Sequence, residues 1–390
     1  MKKNNTRKGV GTKQATKPSA GCTKGAPQRS RAKQTQPPMI TIGLDLGDKS
    51  SCYCALDQDG EVLFDGRLPT TRPGLERVFG ALDRCRVALE VGTHSHWVSR
   101  LLAGLGHEVI VANARQVQLI SKSSRKTDRV DAQTLARLAR VDPQLLRPIR
   151  HRGEQAQLHL ATVRVRCALL EARTQLVNAA RGLAKSHGER LPACDADQMG
   201  PDKLVDLPVA LSQALRPLLE QVAALTEKIQ ELDAEVARMA REHPACVLLQ
   251  QVTGVGPLIS LTYVLTVEDP QRFQRSRDVG CYVGLRPKRS DSGESQPELR
   301  ITKEGDRYLR QLLVQGAHYI LGHHGPDTDL RRWGLRLAAR GGKNAKKRAV
   351  VAVARKLAVL LHRLWVSGAQ YEPLRNSSAV QSKRQAVAAA

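Results

Sequence analysis

Aromatic residues are scarce in this chain, 3% of 390, which disfavours recognition through platforms of rings stacked on bases. The eight cysteines include no Cys-x-x-Cys pair, and His94, His96, His323 and His324 do not combine with them in a zinc-finger spacing. Reduced thiols without a structural zinc are expected. Cys52 and Cys54 have the spacing of neighbours on one strand face and receive no role. No Gly-x-Gly-x-x-Gly follows the first apolar run, which removes a dinucleotide-binding reading. Long apolar runs are lacking as well. The longest uncharged stretch, residues 245–267, is broken by Gln250, Gln251 and Gly254-Val255-Gly256-Pro257, so a buried helical hairpin is expected there rather than a membrane span. The basic N-terminus runs into Gly, Thr, Gln and Pro, with neither the apolar core of a secretion signal nor the amphipathic pattern of a transit peptide. A cytoplasmic protein is expected.

Acidic residues are also in deficit, 37 against 62 Lys and Arg, for a formal charge of +25. Clustered cations gain free energy by releasing counterions from phosphates, so the expected partner is nucleic acid and the expected location the nucleoid. A basic membrane-surface protein would need an amphipathic anchor helix or a lipidation signal, and neither is evident. Residues 1–38 hold ten Lys and Arg and no acid, with no apolar periodicity, and read as a disordered tail. Without them the chain keeps an excess of about fifteen positive charges, so the folded part is basic in its own right.

A chain of 390 residues holds two or three domains. Residues 39–145 alternate short apolar runs with helical ones. Strands over 40–46, 51–56 and 62–64 form a meander around the turn Asp57-Gln58-Asp59-Gly60, followed by a helix from Pro73, a strand over 87–91, a helix over 95–105 and a strand over 108–112. That order is the order of a ribonuclease-H-like (RuvC-like) α/β sheet. Residues 146–243 are helical. Thr162, Val165, Leu169, Ala172, Leu176, Ala179 and Leu183 step by three and four, as do Leu218, Val222, Leu225, Ile229, Leu232, Val236 and Met239. Two long helices with coiled-coil seams follow, and the spacing leaves open an intramolecular hairpin or an oligomerisation arm. Residues 244–368 read as a mainly helical C-terminal domain, with Gly254 and Gly256 in a helix-hairpin-helix-like turn whose N–H groups can hold a phosphate. Residues 369–390 read as a frayed tail.

Four acids carry the chemistry. Asp45 ends the first strand in Gly-Leu-Asp-Leu-Gly, Glu90 ends the fourth, and Asp128 and Asp131 lie one helical turn apart. Hard carboxylate oxygens are what Mg²⁺ (or Mn²⁺) takes when it neutralises charge during phosphoryl transfer. Each acid alone reads equally as a turn residue, a cap or a solvated charge, Asp128 in particular as a first-turn acid facing the macrodipole; the ordered set is the signal. Lys122, Arg125 and Lys126, just before Asp128, suit a phosphate clamp or a solvated helix start. Farther on, Ser292 precedes Gly293 in a basic loop, and Lys303, Arg307 and Arg310 are spaced to meet phosphate backbone. A serine hydroxyl attacks a phosphodiester when cations stabilise the oxyanion, and the resulting covalent bond conserves the energy for rejoining.

Asp45, Leu89-Glu90-x-Gly92-Thr93, Lys126-Thr127-Asp128-x-x-Asp131-Ala132, Thr253-Gly254-Val255-Gly256-Pro257, Gly284-Leu285-x-Pro287, Ser292-Gly293 and Ile301-Thr302-Lys303-x-Gly305-Asp306 together resemble the DEDD-type insertion-sequence transposases, the class of Piv invertases and bridge-RNA-guided recombinases. The likeness runs from about Ile40 to Leu364. It implies a RuvC-like domain with Mg²⁺ on Asp45, Glu90, Asp128 and Asp131, a coiled-coil arm, and a second domain supplying a nucleophilic serine. By position before Gly, that serine is Ser292, with Ser290 and Ser295 close by and Asp291 and Glu294 as acidic neighbours unlike the expected loop. It further implies a composite site between subunits of a dimer or tetramer, donor and target DNA duplexes as substrates, a phosphoserine intermediate, and a structured bridge RNA that pairs with both DNAs. Two rivals stand beside it: a RuvC-like nuclease or junction resolvase that uses water, and an architectural nucleic-acid-binding protein with vestigial acids.

Overall fold

The computed structural model describes residues 40–113, 127–290, 292, 293, 295, 297 and 299–376. The tail over 1–38, the clamp residues Lys122, Arg125 and Lys126, the neighbours Asp291 and Glu294, and residues 377–390 lie outside the described residues. The chain divides into two units at Arg150/His151.

The first unit is a five-stranded mixed sheet built from β1 (Thr41–Asp45), β2 (Ser50–Leu56), β3 (Val62–Pro69), β4 (Arg86–Glu90) and β5 (Glu108–Ala112), in the order β3-β2-β1-β4-β5. Strands β1, β2 and β3 pair antiparallel; β1, β4 and β5 run parallel. Strand β3 extends past the apolar segment that signalled it, through Asp65-Gly66-Arg67. It is an edge strand, where polar side chains are tolerated because only one side is paired.

Each face of this sheet has its own cover. Ile42, Leu44, Val87 and Leu89 pack against Leu75 and Phe79 of α1 (Arg72–Phe79) and Val98 and Leu102 of α2 (Ser95–Gly104). Side chains alternate along a strand, so Gly43, Asp45, Ala88 and Glu90 take the opposite face. That face is covered by α3 (Asp128–Val141), whose start is capped by the Thr127 hydroxyl accepting from the Val130 N–H. Ala132 and Ala136 of α3 meet Cys54 and Leu56, and Leu135 and Ala139 meet Ala88. Contact is close enough that a Cβ on Gly43 would lie 1.9 Å from the Ala132 carbonyl oxygen. Glycine at 43 is what lets the helix rest on the strand.

In the second unit, α4 (Glu154–Ser186) and α5 (Val209–Glu242) form an antiparallel hairpin. Arg166 pairs with Asp233, and Arg173 donates to the Thr226 hydroxyl at 3.2 Å. The residues of α4 that face α5 are therefore Val163, Arg166, Arg173, Val177, Ala180 and Ala184, one position on from the stripe picked out by the sequence. Val165 and Leu183 of that stripe are 51% and 48% exposed. Small alanines and pairable arginines, not the larger aliphatics, make the closest helix contact.

Beyond the hairpin lie α6 (Pro244–Leu249), α7 (Pro257–Val267), α8 (Arg277–Tyr282), α9 (Arg307–Leu321), α10 (Asp329–Ala338) and α11 (Ala345–Ser367). Helix α7 is buried from Ser260 onward, and the Tyr263 hydroxyl donates to the Ala358 carbonyl at 2.8 Å. Leu160, Val163, Val236 and Met239 from the base of the hairpin belong to the same core as these helices, so the segments read separately as 146–243 and 244–368 share one core. Residues 369–376 are pinned rather than frayed: the Asp329 N–H donates to the Pro373 carbonyl, and the Asn376 N–H to the Asp329 carboxylate, both at 2.7 Å. No helix among the described residues is long and apolar enough to cross a membrane.

Candidate active site

Leu44 of β1 is in register with Leu89 of β4, so the next residues, Asp45 and Glu90, end adjacent parallel strands side by side on the α3 face. Both line a cleft of about 390 Å³ with Asp48, Thr93 and His94. Asp131 lies on α3, which covers that face, but is not among the residues that line this cleft. It is 7% exposed, and its carboxylate makes no ion pair with any described residue.

Asp128, one helical turn before Asp131, is exposed at the start of α3. Its carboxylate meets Arg67 of β3 at 3.5 Å in a largely exposed pair, and the neighbouring Arg129 pairs with Asp65. Cys52 lies between these groups, opposite Asp45 in β1 and Arg67 in β3. Burial pushes its thiol pKa up; Arg67 pulls it down, and the carboxylates of Asp128, Asp45 and Asp65 push it further up. The acids on either side thus share one electrostatic neighbourhood.

Asp48 and His94 were not singled out from the sequence as part of a site. His94 accepts at Nδ1 from the Trp97 indole N–H at 3.1 Å. An indole only donates, so the imidazole proton sits on Nε2, 3.4 Å from an Asp48 carboxylate oxygen. The signal available was local: Gly92-Thr93-His94 begins two residues after Glu90, and Asp48 stands three residues after Asp45.

No three His, Cys, Asp or Glu side chains among the described residues close on one point as metal ligands. The donor chemistry nevertheless fits a hard divalent ion. Asp45 and Glu90 offer adjacent carboxylates, and Mg²⁺ commonly takes only one or two, completing its shell with water and substrate phosphate.

In the second unit Ser292 sits at an exposed hairpin tip. The Ser292 N–H donates to the Ser295 carbonyl at 3.2 Å and the Ser295 N–H to the Ser292 carbonyl at 3.0 Å, with Gly293 at φ 55° making the turn. The base of this hairpin is interlocked. A Cβ on Gly305 would lie 1.9 Å from the Tyr282 carbonyl oxygen. Arg310, spaced for phosphate, instead directs its guanidinium to the carbonyls of Val283 and Glu304, at 3.1 and 2.7 Å. Lys303 and Arg307 are exposed. Gly254, at φ 83°, is pressed against Gly316 of α9, whereas a Cβ on Gly256 would meet nothing within 4 Å. Gly256 is exposed.

A family model described as a transposase, of the DEDD type and named for IS110, matches residues 42–187 and so spans all four acids. A second, described as the transposase IS116/IS110/IS902 family, matches residues 246–331, which include Ser292 and Lys303. The chain belongs to the DEDD-type insertion-sequence transposases. Among the relatives of this transposase chain, the transposase for insertion sequence element IS1111A of Coxiella burnetii is 29% identical over 82% of this chain and 88% of its own length. The transposase for insertion sequence element IS1328 of Yersinia enterocolitica is 27% identical over 73% and 85%. Helix α5 falls between the two matched segments.

Proposed function

We propose that this chain is a DNA recombinase of an insertion sequence, a RuvC-like enzyme that cuts and rejoins strands through a phosphoserine. The observation that carries the reading is the placement of Asp45 and Glu90 side by side at the ends of neighbouring parallel strands, beneath the helix that carries Asp131. Mg²⁺ or Mn²⁺ bound there, on Asp45 and Glu90 with Asp131 and Asp128 as the further carboxylates, would supply charge neutralisation for a phosphoryl group. Arg67 holds Asp128, and His94 and Asp48 form the wall of the cleft. Ser292, on an exposed tip flanked by a basic loop, supplies the nucleophile: its oxygen bonds to phosphorus as the hydroxyl proton leaves, and the departing nucleoside oxygen takes a proton. Attack by a strand's free hydroxyl reverses the exchange and rejoins DNA without an external energy source.

The substrates in this reading are donor and target DNA duplexes. A bridge RNA rests on the resemblance and on the positive charge that remains after the N-terminal tail is set aside. A dimer or tetramer is supported by the outward aliphatic stripe on α4, where Leu158, Val165 and Leu183 are 58%, 51% and 48% exposed. Ser292→Ala and Asp45→Asn test the reading on DNA carrying the element's ends. Both should abolish divalent-ion-dependent cleavage; a Ser292→Ala enzyme that still cuts would be the water-using nuclease.

A further inference from the structure

Between α10 and α11, with residues 369–376 along one side, runs an open groove of about 940 Å³. Trp333, Arg336, Lys356, Arg363, Tyr371 and Arg375 line it. In a chain with 3% aromatics, two rings among four cations in one groove is a local exception to the composition. Asp329 and Glu372 are the acids of the lining, and Asp329 already accepts the Asn376 N–H. Arg332 also borders the groove but is held by both carboxylate oxygens of Asp327, at 2.8 and 2.5 Å. Arg336 and Arg363 are exposed and have no ion-pair partner among the described residues.

The Lys356 ammonium lies 4.1 Å from the centroid of the Trp333 ring. The exposed cation covers the indole face on the groove side, while the ring also packs against the core of the second unit. Tyr371 stands on the pinned segment, its N–H donating to the Gln251 side chain at 3.0 Å, so the side of the groove that carries it is held in place.

We propose that this groove binds unpaired nucleotides, with phosphates on Arg336, Lys356 and Arg363 and a base on the Trp333 face that Lys356 leaves as it turns to its phosphate. A stacking ring needs a base with a free face, and in a duplex those faces are taken by neighbouring bases. Cations beside an indole suit a strand that carries both phosphates and unpaired bases, whereas an acidic peptide would use the cations alone. The site is separate from the acids and from Ser292, and binding here does not depend on a divalent ion or on strand transfer.

The test uses the full chain in EDTA, with short fluorescein-labelled oligo(U) and oligo(dT), an unlabelled duplex and polyglutamate as competitors, and tryptophan fluorescence as a second readout. Either single strand should bind in preference to duplex, and the ratio of oligo(U) to oligo(dT) reports which sugar is favoured. Arg336→Glu combined with Arg363→Glu should weaken binding on the order of tenfold or more and flatten the salt dependence by about 0.7 for each phosphate no longer neutralised. Single strands should quench the tryptophan emission, and Trp333→Phe should remove that quench while leaving the melting curve in place. Duplex or polyglutamate competing as well as oligo(U), unchanged affinity in the double variant, or quenching that survives Trp333→Phe would each overturn the proposal. Loss of strand transfer in Ser292→Ala with single-strand binding intact would separate this site from the catalytic one.

Discussion

Replacing Gly43 with alanine places one methyl group where no space exists. The new Cβ would lie 1.9 Å from the Ala132 carbonyl oxygen and 2.6 Å from the Ala136 nitrogen, both helix backbone, against an ordinary contact of at least 3.4 Å. Neither atom can rotate away as a side-chain tip would. Helix α3 must therefore retreat from β1 by about 1.5 Å, the gap between the clash and the ordinary contact. It carries Asp131 away from Asp45 and Glu90 as it moves. Overpacking of this kind costs about 3 kcal/mol when backbone must shift, and a displacement of roughly 1 Å at a reacting centre costs on the order of a hundredfold in rate. Hydrogen exchange read by mass spectrometry suits the question, because the two units need not unfold together. Protection of α3 amides should fall by about two orders of magnitude, corresponding to about 3 kcal/mol, with the second unit unaffected and strand cleavage lost in parallel. Unchanged protection in residues 128–141 would refute the packing of α3 on β1, and with it the placement of Asp131.

Glu90→Gln keeps the side-chain shape and should abolish Mn²⁺ binding measured by calorimetry; unchanged Mn²⁺ affinity would contradict a carboxylate site there. Arg67→Ala removes an exposed ion pair and should change stability by less than about 1 kcal/mol; a larger loss would mean that the pair organises β3. Arg310→Met should lower stability by about 2 kcal/mol by orphaning the Val283 and Glu304 carbonyls, without changing the salt dependence of DNA binding; a flatter salt dependence would show a phosphate contact after all. Burial pushes the Cys85 thiol to about 11 and the Cys246 thiol to about 12. The fold keeps protons that the unfolded chain releases near pH 9, so stability should fall as pH rises from about 9 towards 11 to 12. Both thiols should resist alkylation at pH 8.5 until the chain unfolds; rapid labelling of either would contradict their burial.

The strands of the first unit were legible because each is a short apolar run bounded by Gly, Asp or Pro, and their order followed from the spacing. The extension of β3 was not, since Asp65-Gly66-Arg67 carries no apolar alternation and becomes a strand only because β2 offers it a partner. Asp45 and Glu90 could be found as strand-ending acids, and their adjacency needed only the parallel register. Asp128 was legible as a first-turn acid one helical turn from Asp131, but its pairing with Arg67, 61 residues distant, is announced by no local pattern. In the arm, α4 carries two heptad stripes side by side. Periodicity alone favoured the more aliphatic one, whereas pairing with Asp233 and Thr226 selects the other. The groove around Trp333 was invisible for a similar reason, its cations being scattered from Arg336 to Arg375 and gathered only by the crossing of α10 and α11.

The central claim joins the acids of the first unit to the serine of the second through one chemical intermediate. The most direct measurement is to trap it: incubate the full chain, co-expressed with the element's RNA, with Mg²⁺ and labelled DNA carrying the element's junction, denature, and map any protein–DNA adduct by peptide mass. An adduct on Ser292 that disappears in Asp45→Asn and Glu90→Gln is the predicted result. Metal-dependent cleavage without any adduct, or an adduct on Ser290 or Ser295 that persists in Ser292→Ala, would contradict it.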